Sequence, residues 1–397
     1  MATVADTSER TDDRRYMEEA LALAARAAGR TSPNPMVGAL VVAGGEVVGR
    51  GFHARAGEPH AEVLALREAG MRARGATVYV TLEPCAHQGR TGPCADALVA
   101  AGVRRVVVAM VDPDPQVRGR GLARLRAAGV EVDVGVLEDR AQRLNEAFIK
   151  HRVTGLPFVT LKWAMSLDGR IAGAGGRPVA VTGEAARRYA HELRNTHDVV
   201  LVGVGTVLAD DPLLTCRLPG GRTPMRVVVD SHLRTPPTAR VVATAGEAPT
   251  LVATTTAASP TRVEALRRAG VEVLVQEHAV PRVALRPLLE DLGRRGVLSV
   301  LVEGGATVHA AFLAAGLADK VIALVAPVLI GEPGAPAPVA ALPSAGTGAD
   351  AWAPRRLRDV RVLADLGGDV AIEGYLSEGH GAVQHGDAAA GRTGGAA

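Results

Sequence analysis

The sequence predicts an α/β protein built from two domains. Its 397 residues exceed the usual size of one domain, and each half is long enough to bury its own core. Short apolar runs, such as 105–111 and 198–203, alternate along the chain with segments of helical periodicity, such as 184–194. Alternating strands and helices are typical of a mostly parallel sheet with helices packed on its faces.

Composition and charge narrow the class of protein. A formal net charge of +3 is close to balance and indicates neither a nucleic-acid partner nor a membrane surface. No apolar run reaches membrane-spanning length and no signal peptide is recognised, so we expect a cytoplasmic protein. Three cysteines are an odd number, which argues against a disulfide framework and suits a reducing compartment.

The first elements follow from periodicity and turn residues. Residues 1–12 are polar and are expected to be disordered, whereas 14–29 has helical periodicity. The apolar run 37–42 predicts a buried strand, and the Gly-Gly pair after it predicts a hairpin into 46–52. Between the helix and this strand lies Asn34, flanked by two prolines that favour an extended turn.

The strongest chemical signal is a histidine, a glutamate and two cysteines in a fixed order. His60 and Glu62 lie in the first turn of a predicted helix, and Cys85 and Cys94 each follow a proline at a predicted helix start. One imidazole and two thiolates give a three-ligand zinc site whose fourth position stays open for water. Glu62 is not needed as a ligand and is placed to move a proton, as in zinc deaminases. We therefore predict a catalytic zinc; a structural zinc with a fourth protein ligand is the alternative.

The two cysteines are separated by eight residues, AHQGRTGP, instead of the two that are usual in zinc deaminases. This insert carries His87 and Arg90, which form either a solvated loop or a cationic lip for an anionic substrate. We favour the lip, because the insert has to overhang the metal. Asp112 and Asp114 follow the next predicted strand, and they are either turn residues or substrate contacts.

A single helix over 138–152 is expected to close the first domain, with the boundary near 151–156. The second domain opens with a strand over 158–165, which carries Lys162. A turn and a further strand are expected over 166–172.

Strands and helices alternate again in the rest of the chain. The predicted order is a helix over 184–194, strands over 198–203 and 226–230, strand–helix units over 251–268 and 271–292, a strand over 298–302, and two closing strands within 357–376. The tail from 378 is of low complexity and is expected to be disordered.

Gly304 and Gly305 stand between a predicted strand and a predicted helix. A glycine turn at this point exposes backbone N–H groups at the positive end of the helix dipole, which predicts a phosphate cradle. Glu303, immediately before the turn, is interpreted as the acceptor for a substrate hydroxyl.

Several of these segments resemble one known family, the bifunctional deaminase–reductases of riboflavin biosynthesis. PNPMVGALVV, HAEVLAL, VTLEPCAHQGRTGPC and DPDPQVRGRG resemble the deaminase half, and LKWAMSLDGRIA, TVLADDPLLTCR and LVEGGAT resemble the reductase half. The resemblance implies a cytidine-deaminase-like α/β/α sandwich followed by a dihydrofolate-reductase-like α/β domain. The implied division is a disordered 1–12, a zinc deaminase over 13–153, a reductase over 154–377 and a disordered tail over 378–397.

The resemblance also implies the chemistry. It implies zinc-dependent hydrolytic deamination of 2,5-diamino-6-(5-phosphoribosylamino)pyrimidin-4-one, followed by NADPH reduction of the ribosyl group to give 5-amino-6-(5-phosphoribitylamino)uracil. The cofactors are then one Zn²⁺ and NADPH, and the partners are the small-molecule substrate and further copies of the chain in a homo-oligomer. A deaminase joined to a non-catalytic reductase-like module is the alternative.

The patterns described above and the resemblance together assign the site residues. The metal ligands are His60, Cys85 and Cys94, and the catalytic residue is Glu62. The substrate-binding residues are expected to be Asn34, His87, Arg90, Arg194, Leu214, Arg217 and Glu303. The cofactor-binding residues are expected to be Lys162, Thr206, Asp210, Ser231, Gly304, Gly305, Ala306 and Thr307.

Overall fold

The computed structural model describes residues 4–86, 92–115, 117–278, 281–340 and 355–376. Its strands form two separate sheets, a 5-stranded sheet in the first half of the chain and a 9-stranded sheet in the second half. Within the ranges just given, no helix is both long and apolar enough to cross a membrane. The predicted α/β class is confirmed.

The first half alternates helices and strands from its first helix onward. Its elements are α1 (Val4–Ala25), β1 (Gly38–Ala43), β2 (Glu46–Phe52), α2 (Ala61–Ala69), β3 (Thr77–Val80), α3 (Cys94–Ala100), β4 (Arg105–Val108), α4 (Arg120–Ala127), β5 (Glu131–Val134), α5 (Glu138–Leu144) and α6 (Glu146–Thr154).

The helices of the first half cover both faces of its sheet. Val78 and Val80 of β3 belong to the buried cluster formed with α2, α3 and α4. Tyr79 between them belongs to the cluster formed with α1, α5 and α6. Successive side chains of a strand point to opposite faces, so this alternation places one layer of helices on each side. The result is the α/β/α sandwich that the resemblance implied.

The sheet of the first half has the strand order β2-β1-β3-β4-β5. β1 pairs antiparallel with β2 and β3, whereas β3–β4 and β4–β5 are parallel pairs. The expectation of a mostly parallel sheet therefore holds only for its second part. The glycine hairpin reverses the chain at β2, so α2 connects two strands that run in the same direction on either side of β1.

The first helix begins earlier than the sequence predicted. It starts at Val4, so the described residues from 4 to 12, which were expected to be disordered, are helical. This polar stretch contains neither proline nor glycine, so nothing in it ends a helix that extends from the buried residues Tyr16 and Met17.

The second half contains the larger sheet and its helices. Its elements are β6 (Phe158–Ser166), α7 (Glu184–Thr196), β7 (Val199–Gly203), α8 (Val204–Asp210), β8 (Met225–Val229), α9 (Arg240–Ala243), β9 (Thr250–Thr255), α10 (Pro260–Arg268), β10 (Glu272–Gln276), α11 (Leu285–Arg294), β11 (Ser299–Gly304), α12 (Ala306–Ala314), β12 (Lys320–Ala326), β13 (Leu357–Leu366) and β14 (Asp369–Leu376).

The strand order of the larger sheet is β10-β9-β8-β7-β11-β6-β12-β14-β13. Every pair from β10 to β12 in this order is parallel, and only the pairs that involve β13 and β14 are antiparallel. The carboxyl ends of the parallel strands therefore lie along one edge, which is where open α/β sheets bind their ligands.

Three local predictions differ from the structure. The helix expected over 138–152 is interrupted at Asn145, whose buried side chain accepts a hydrogen bond from Met36 N–H and donates one to Met36 O. The strand expected at the end of 166–172 is absent, since this described segment forms a turn and a bend. A helix not foreseen in the sequence, α8, follows β7 directly.

Polar contacts join the two halves. The Nζ of Lys150, on α6, lies 2.5 Å from Asp319 Oδ2, and both side chains are buried. Ser32 Oγ donates a hydrogen bond of 2.9 Å to Asp198 Oδ2. These contacts attach the loop before β1 and the end of α6 to the second sheet, close to the predicted boundary.

Candidate active sites

His60, Cys85 and Cys94 come together at one point in the first half. His60 Nδ1 lies 3.2 Å from Cys94 Sγ and 3.6 Å from Cys85 Sγ, and the three ligand atoms lie within 4.8 Å of one another. A nitrogen and a thiolate bound to one tetrahedral zinc are roughly 3.5 Å apart. The three side chains therefore fit zinc, and the described residues contain no fourth ligand in this group.

Two of the three ligand residues lie at the start of a helix, and the third lies in a loop. His60 is the N-cap of α2, and Cys94 is the first residue of α3. Cys85 was predicted to lie at a helix start, but it lies in the loop after β3. Its sulfur nevertheless reaches the start of α3, where Cys94 N–H donates a hydrogen bond of 3.3 Å to Cys85 Sγ. The helix N-terminus thus favours the thiolate without containing the residue.

The surroundings of Cys85 favour its charged form. Hydrogen bonds from Cys94 and His60 lower the pKa of the Cys85 thiol to about 4, although burial opposes this shift. Cys94 responds in the opposite direction, because the neighbouring Cys85 thiolate raises the pKa of the Cys94 thiol. A metal cation between the two sulfurs relieves this conflict, since a coordinated thiol loses its proton. The donor set is therefore that of a metal site.

Glu62 lies beside the two cysteines without belonging to the three-residue ligand group. It is in the first turn of α2, only 3% exposed, and its carboxyl contacts the Cys94 thiol. Burial is the largest influence and raises the pKa of this carboxyl. A carboxyl with a raised pKa next to an open metal position can accept a proton and release it again.

The metal-binding residues open onto a cavity of about 530 Å³. Glu62, His60 and Cys85 lie in its wall. The remaining polar groups of the wall come from the loop before β1, the ends of β2, β3 and β4, and helices α4 and α6. They include Asn34, His53, Glu83, Asp112, Asp114, Arg120 and Arg152.

Asn34, predicted to contact the substrate, lies in this wall and pairs with a histidine that the sequence did not single out. Asn34 Nδ2 lies 3.0 Å from His53 Nε2, and His53 Nδ1 lies 3.3 Å from Pro59 O. His53 is 3% exposed and its ring meets that of His60 edge-on, with ring centroids 5.5 Å apart. The pair connects the substrate cavity to the segment that carries the first metal ligand.

Glu83 holds together the part of the cavity wall that the loop after β4 and helix α4 form. Its carboxylate accepts hydrogen bonds from the backbone N–H groups of Asp112, Gly119, Gly121 and Leu122, at 3.2, 2.9, 2.9 and 3.3 Å. These bonds anchor the loop after β4 and the start of α4. A Cβ atom at Gly121 would lie 1.9 Å from Pro84 O, so only glycine allows α4 to approach the metal loop this closely.

Asp112 and Asp114 lie in the cavity wall, as predicted for the rim of strand ends. Asp112 Oδ1 accepts a hydrogen bond of 2.9 Å from Asp114 N–H, which is a turn interaction. The turn interaction and the place in the cavity wall are therefore both observed, whereas contact with a substrate stays a prediction. His87 and Arg90 lie outside the described residues.

In the second half, the predicted cofactor residues gather at the carboxyl edge of the sheet. Gly304 ends β11, and Gly305, with φ 87°, leads into α12 at Ala306 and Thr307. A Cβ atom on Gly304 would lie 2.8 Å from Thr206 Oγ1, so the glycine turn and α8 are packed directly together. The sequence predicted a phosphate cradle at this helix start, and phosphate binding here stays a prediction.

Two further residues of the predicted set lie near this edge. Asp210 is exposed at the end of α8, one helical turn beyond Thr206 and on the same face. Ser231 follows β8 at the carboxyl edge, and its Oγ accepts a hydrogen bond of 3.1 Å from Val283 N–H. Among the described residues, no hydrogen bond donated by this hydroxyl is formed.

Lys162, Arg194 and Glu303 form a buried charge cluster. Arg194 Nε and Nη2 donate to the two oxygens of Glu303 at 2.5 and 2.8 Å, and Lys162 Nζ lies 3.8 Å from Glu303 Oε2. Burial alone would raise the pKa of Glu303, but the two cations outweigh it and lower the pKa to about 2. Glu303 is thus an ionised carboxylate that two protein cations already contact.

The predicted phosphate ligands do not form one cluster in this structure. Arg194 is engaged by Glu303 and also donates to Thr215 O at 3.1 Å. Arg217 is exposed, and its Nε donates to His191 Nε2 at 3.2 Å. Leu214, with φ 56°, is buried. The loop 214–217 brings these groups to one side of α7.

Two family models match the two halves. The model described as the cytidine and deoxycytidylate deaminase zinc-binding region matches residues 10–110. The model described as the RibD C-terminal domain matches residues 157–366. The first match includes β1 to β4, and the second includes β6 to β13.

Curated relatives match both halves together. The riboflavin biosynthesis protein RibD of Aquifex aeolicus is 45% identical over 321 residues, which are 81% of this chain and 88% of that protein. RibD of Escherichia coli is 46% identical over 333 residues, 81% of this chain and 89% of that protein. The chain belongs to the RibD family. It combines a zinc-binding deaminase domain with a reductase domain and acts in riboflavin biosynthesis.

Solved RibD structures share the whole architecture. Acinetobacter baumannii RibD covers 93% of this chain, with 41% identity and a TM-score of 0.81. A Thermotoga maritima structure also covers 93%, with 35% identity and a TM-score of 0.79. That protein is described as a diaminohydroxyphosphoribosylaminopyrimidine deaminase/5-amino-6-(5-phosphoribosylamino)uracil reductase. The predicted cytidine-deaminase-like and RibD reductase folds are thereby confirmed.

Proposed function

We propose that the cavity in the first half deaminates 2,5-diamino-6-(5-phosphoribosylamino)pyrimidin-4-one. The observation that carries this proposal is the buried Glu62 carboxyl beside His60, Cys85 and Cys94 in one cavity wall. His60, Cys85 and Cys94 would hold zinc, which lowers the pKa of a water molecule and so supplies a nucleophile. The name of the Thermotoga maritima relative supports the same substrate class.

Glu62 performs the proton transfer in this proposal. Its carboxylate accepts a proton from the attacking water and delivers it to the departing amine, so that ammonia leaves as a neutral molecule. Burial supports this role, because a carboxyl kept from solvent holds a proton more readily than an exposed one. Asn34 would contact the pyrimidine from the opposite side of the cavity.

We propose that the second half uses NADPH to reduce the ribosyl group of the deaminated product to ribityl. The fit of the turn Gly304-Gly305 to a dinucleotide phosphate supports the cofactor class, because Thr206 and the start of α12 frame it. When bound, the nicotinamide supplies a hydride. Lys162, Thr206, Asp210 and Ser231, with Gly304, Gly305, Ala306 and Thr307, are the residues we assign to the cofactor.

The sugar phosphate of the substrate is assigned to the other side of the reductase cleft. Arg217 is exposed and can pair with phosphate, and Leu214 lies three residues before it in the same loop. Glu303 would accept a substrate hydroxyl, and Arg194 would hold Glu303 in place or bind phosphate. In the deaminase cavity, His87 and Arg90 remain our proposal for the phosphate.

We also propose the division into domains 13–153 and 154–377. The family matches end at 110 and begin again at 157, and Gly155 separates α6 from β6. A homo-oligomer is supported by the edge strand β13, where Val360 and Val362 are 52% and 60% exposed. A cytoplasmic location is supported by cysteines that serve a metal.

An assay of both half-reactions on the purified chain tests this function. We expect ammonia release that requires one zinc per chain, and NADPH oxidation when the deaminated intermediate is supplied. Cofactor titration separates the alternative of a non-catalytic module, which would bind no NADPH. Ammonia release from the substrate after complete zinc removal and without NADPH would contradict the proposal for the first half.

A further inference from the structure

We propose that His53 is a positioning residue that fixes the side-chain amide of Asn34, so that the amide oxygen faces the cavity as a hydrogen-bond acceptor. The deaminase site would then select pyrimidines that present an N–H group at this point. This inference rests on the proposed deamination in the first half.

The orientation of the His53 ring is set by its backbone neighbour. His53 N–H donates to Val37 O at 2.9 Å, which places the residue just beyond the end of β2. In the ring, Nδ1 lies 3.3 Å from Pro59 O. A carbonyl oxygen can only accept, so Nδ1 must carry the ring proton. In a neutral imidazole, Nε2 is then the acceptor.

The neutral ring follows from its surroundings. His53 is 3% exposed and its ring centroid lies 5.5 Å from that of His60, a metal-ligand residue. The described hydrogen bonds of the ring go to Pro59 O and to the Asn34 amide, so no carboxylate is bonded to it to compensate a second, buried proton. The tautomer with hydrogen on Nδ1 alone is therefore favoured.

The neutral tautomer decides which way Asn34 points. Nε2 of His53, as an acceptor, requires a donor 3.0 Å away, which is Nδ2 of Asn34. The amide oxygen of Asn34 then takes the other direction, and Asn34 lies in the wall of the cavity that also contains Glu62. Among the described residues, no hydrogen bond to Asn34 Oδ1 is formed. If the Asn34 amide could flip, it would present either its oxygen or its NH2 group to the cavity. The hydrogen bond with His53 prevents this flip.

A double-mutant cycle on zinc-loaded full-length protein tests the link between the two residues. His53→Leu removes the acceptor and is expected to raise the KM for deamination roughly tenfold, the effect of one hydrogen bond. His53→Gln keeps an acceptor and should recover most of this loss. In an Asn34→Ala background, His53→Leu should raise KM no further. His278→Leu, a change of the same kind at an exposed position, is the control.

Zinc content and NADPH-dependent reduction are measured for every variant, because His53 also contacts the backbone before His60. Both should stay at wild-type values. Nitrogen-15 spectra of the histidine rings provide an independent readout: His53 should show a protonated Nδ1 and an unprotonated Nε2. A protonated Nε2, or equal effects of His53→Leu with and without Asn34, would overturn the proposal. If the wild-type protein releases no ammonia at all, the proposed deamination fails instead.

Discussion

Arg194 and Glu303 face each other as a bidentate ion pair in the interior of the reductase half, with donor–acceptor distances of 2.5 and 2.8 Å. The two residues are 109 positions apart in the sequence, on α7 and β11. The side chains are 15% and 6% exposed, so each charge depends on the other. The pair fixes the end of β11, immediately before the glycine turn.

Glu303→Gln should therefore lower stability in a pH-dependent way. The pKa of Glu303 is about 2 in the fold against an ordinary 4.5, so the carboxylate stabilises the fold above pH 4.5 and loses this contribution as pH falls toward 2. We expect a loss of about 3 kcal/mol in the free energy of unfolding at neutral pH, because Arg194 is left unpaired. Denaturant unfolding at several pH values measures the difference, which should shrink below pH 4.5. Glu290→Gln, at an exposed position, is the control.

Arg217→Ala should separate substrate binding from cofactor binding. Arg217 is exposed beside His191, whereas the glycine cradle lies between α8 and α12. Loss of a charge-assisted phosphate contact costs about 1.5–3 kcal/mol, so the KM for the reductase substrate should rise roughly ten- to a hundredfold. NADPH affinity, followed by fluorescence, should stay unchanged. Asp210→Ala should do the reverse.

Arg286→Ala removes another exposed arginine and should change neither constant. Weaker NADPH binding with an unchanged substrate KM in Arg217→Ala would show that the assignment of loop 214–217 is wrong. Unchanged values for both ligands would make Arg217 a surface charge without a role in binding.

Glu83→Ala should loosen the wall of the deaminase cavity. Four backbone N–H groups lose their common acceptor, so we expect a loss of about 2–3 kcal/mol in the free energy of unfolding. Hydrogen exchange at Asp112, Gly119, Gly121 and Leu122 should become faster, and the KM for deamination should rise. Unchanged exchange at these amides would show that the carboxylate does not hold the loop.

Cys85→Ser should remove zinc and deamination but leave reduction. Cys85 provides one of the three ligand atoms and has no contact with the larger sheet among its described hydrogen bonds. Zinc analysis and the two half-reaction assays check this separation. Loss of NADPH-dependent reduction in a variant that still folds would contradict two independent sites.

The sequence predicted the metal cluster and the edge of strand ends, because both depend on local patterns. The order of His60, Glu62, Cys85 and Cys94 indicates a zinc site, and Gly304 indicates a strand-to-helix turn. The structure brings His60, Cys85 and Cys94 together and packs the glycine turn against α8.

Sequence reasoning missed contacts that join separate segments of the chain. His53 matters only because Pro59 and Asn34 flank its ring, and Glu83 only because the loop after β4 folds back over it. The sequence predicted that Arg194 binds phosphate, but in the structure its guanidinium is paired with Glu303. Two signals were available in the sequence. His53 precedes the pair Pro59-His60, and Glu83 directly precedes the pair Pro84-Cys85.

Glu62→Gln gives the most direct test of the deaminase assignment. The amide preserves the shape of the side chain but cannot accept and return a proton, so ammonia release should fall by at least about a hundredfold. Zinc should remain at one ion per chain, and NADPH-dependent reduction should be unaffected, because Glu62 is not among the three ligand residues. Zinc content and ammonia release, measured on the same sample, decide the question. Ammonia release at the wild-type rate, or loss of zinc from the folded variant, would contradict Glu62 as the proton carrier.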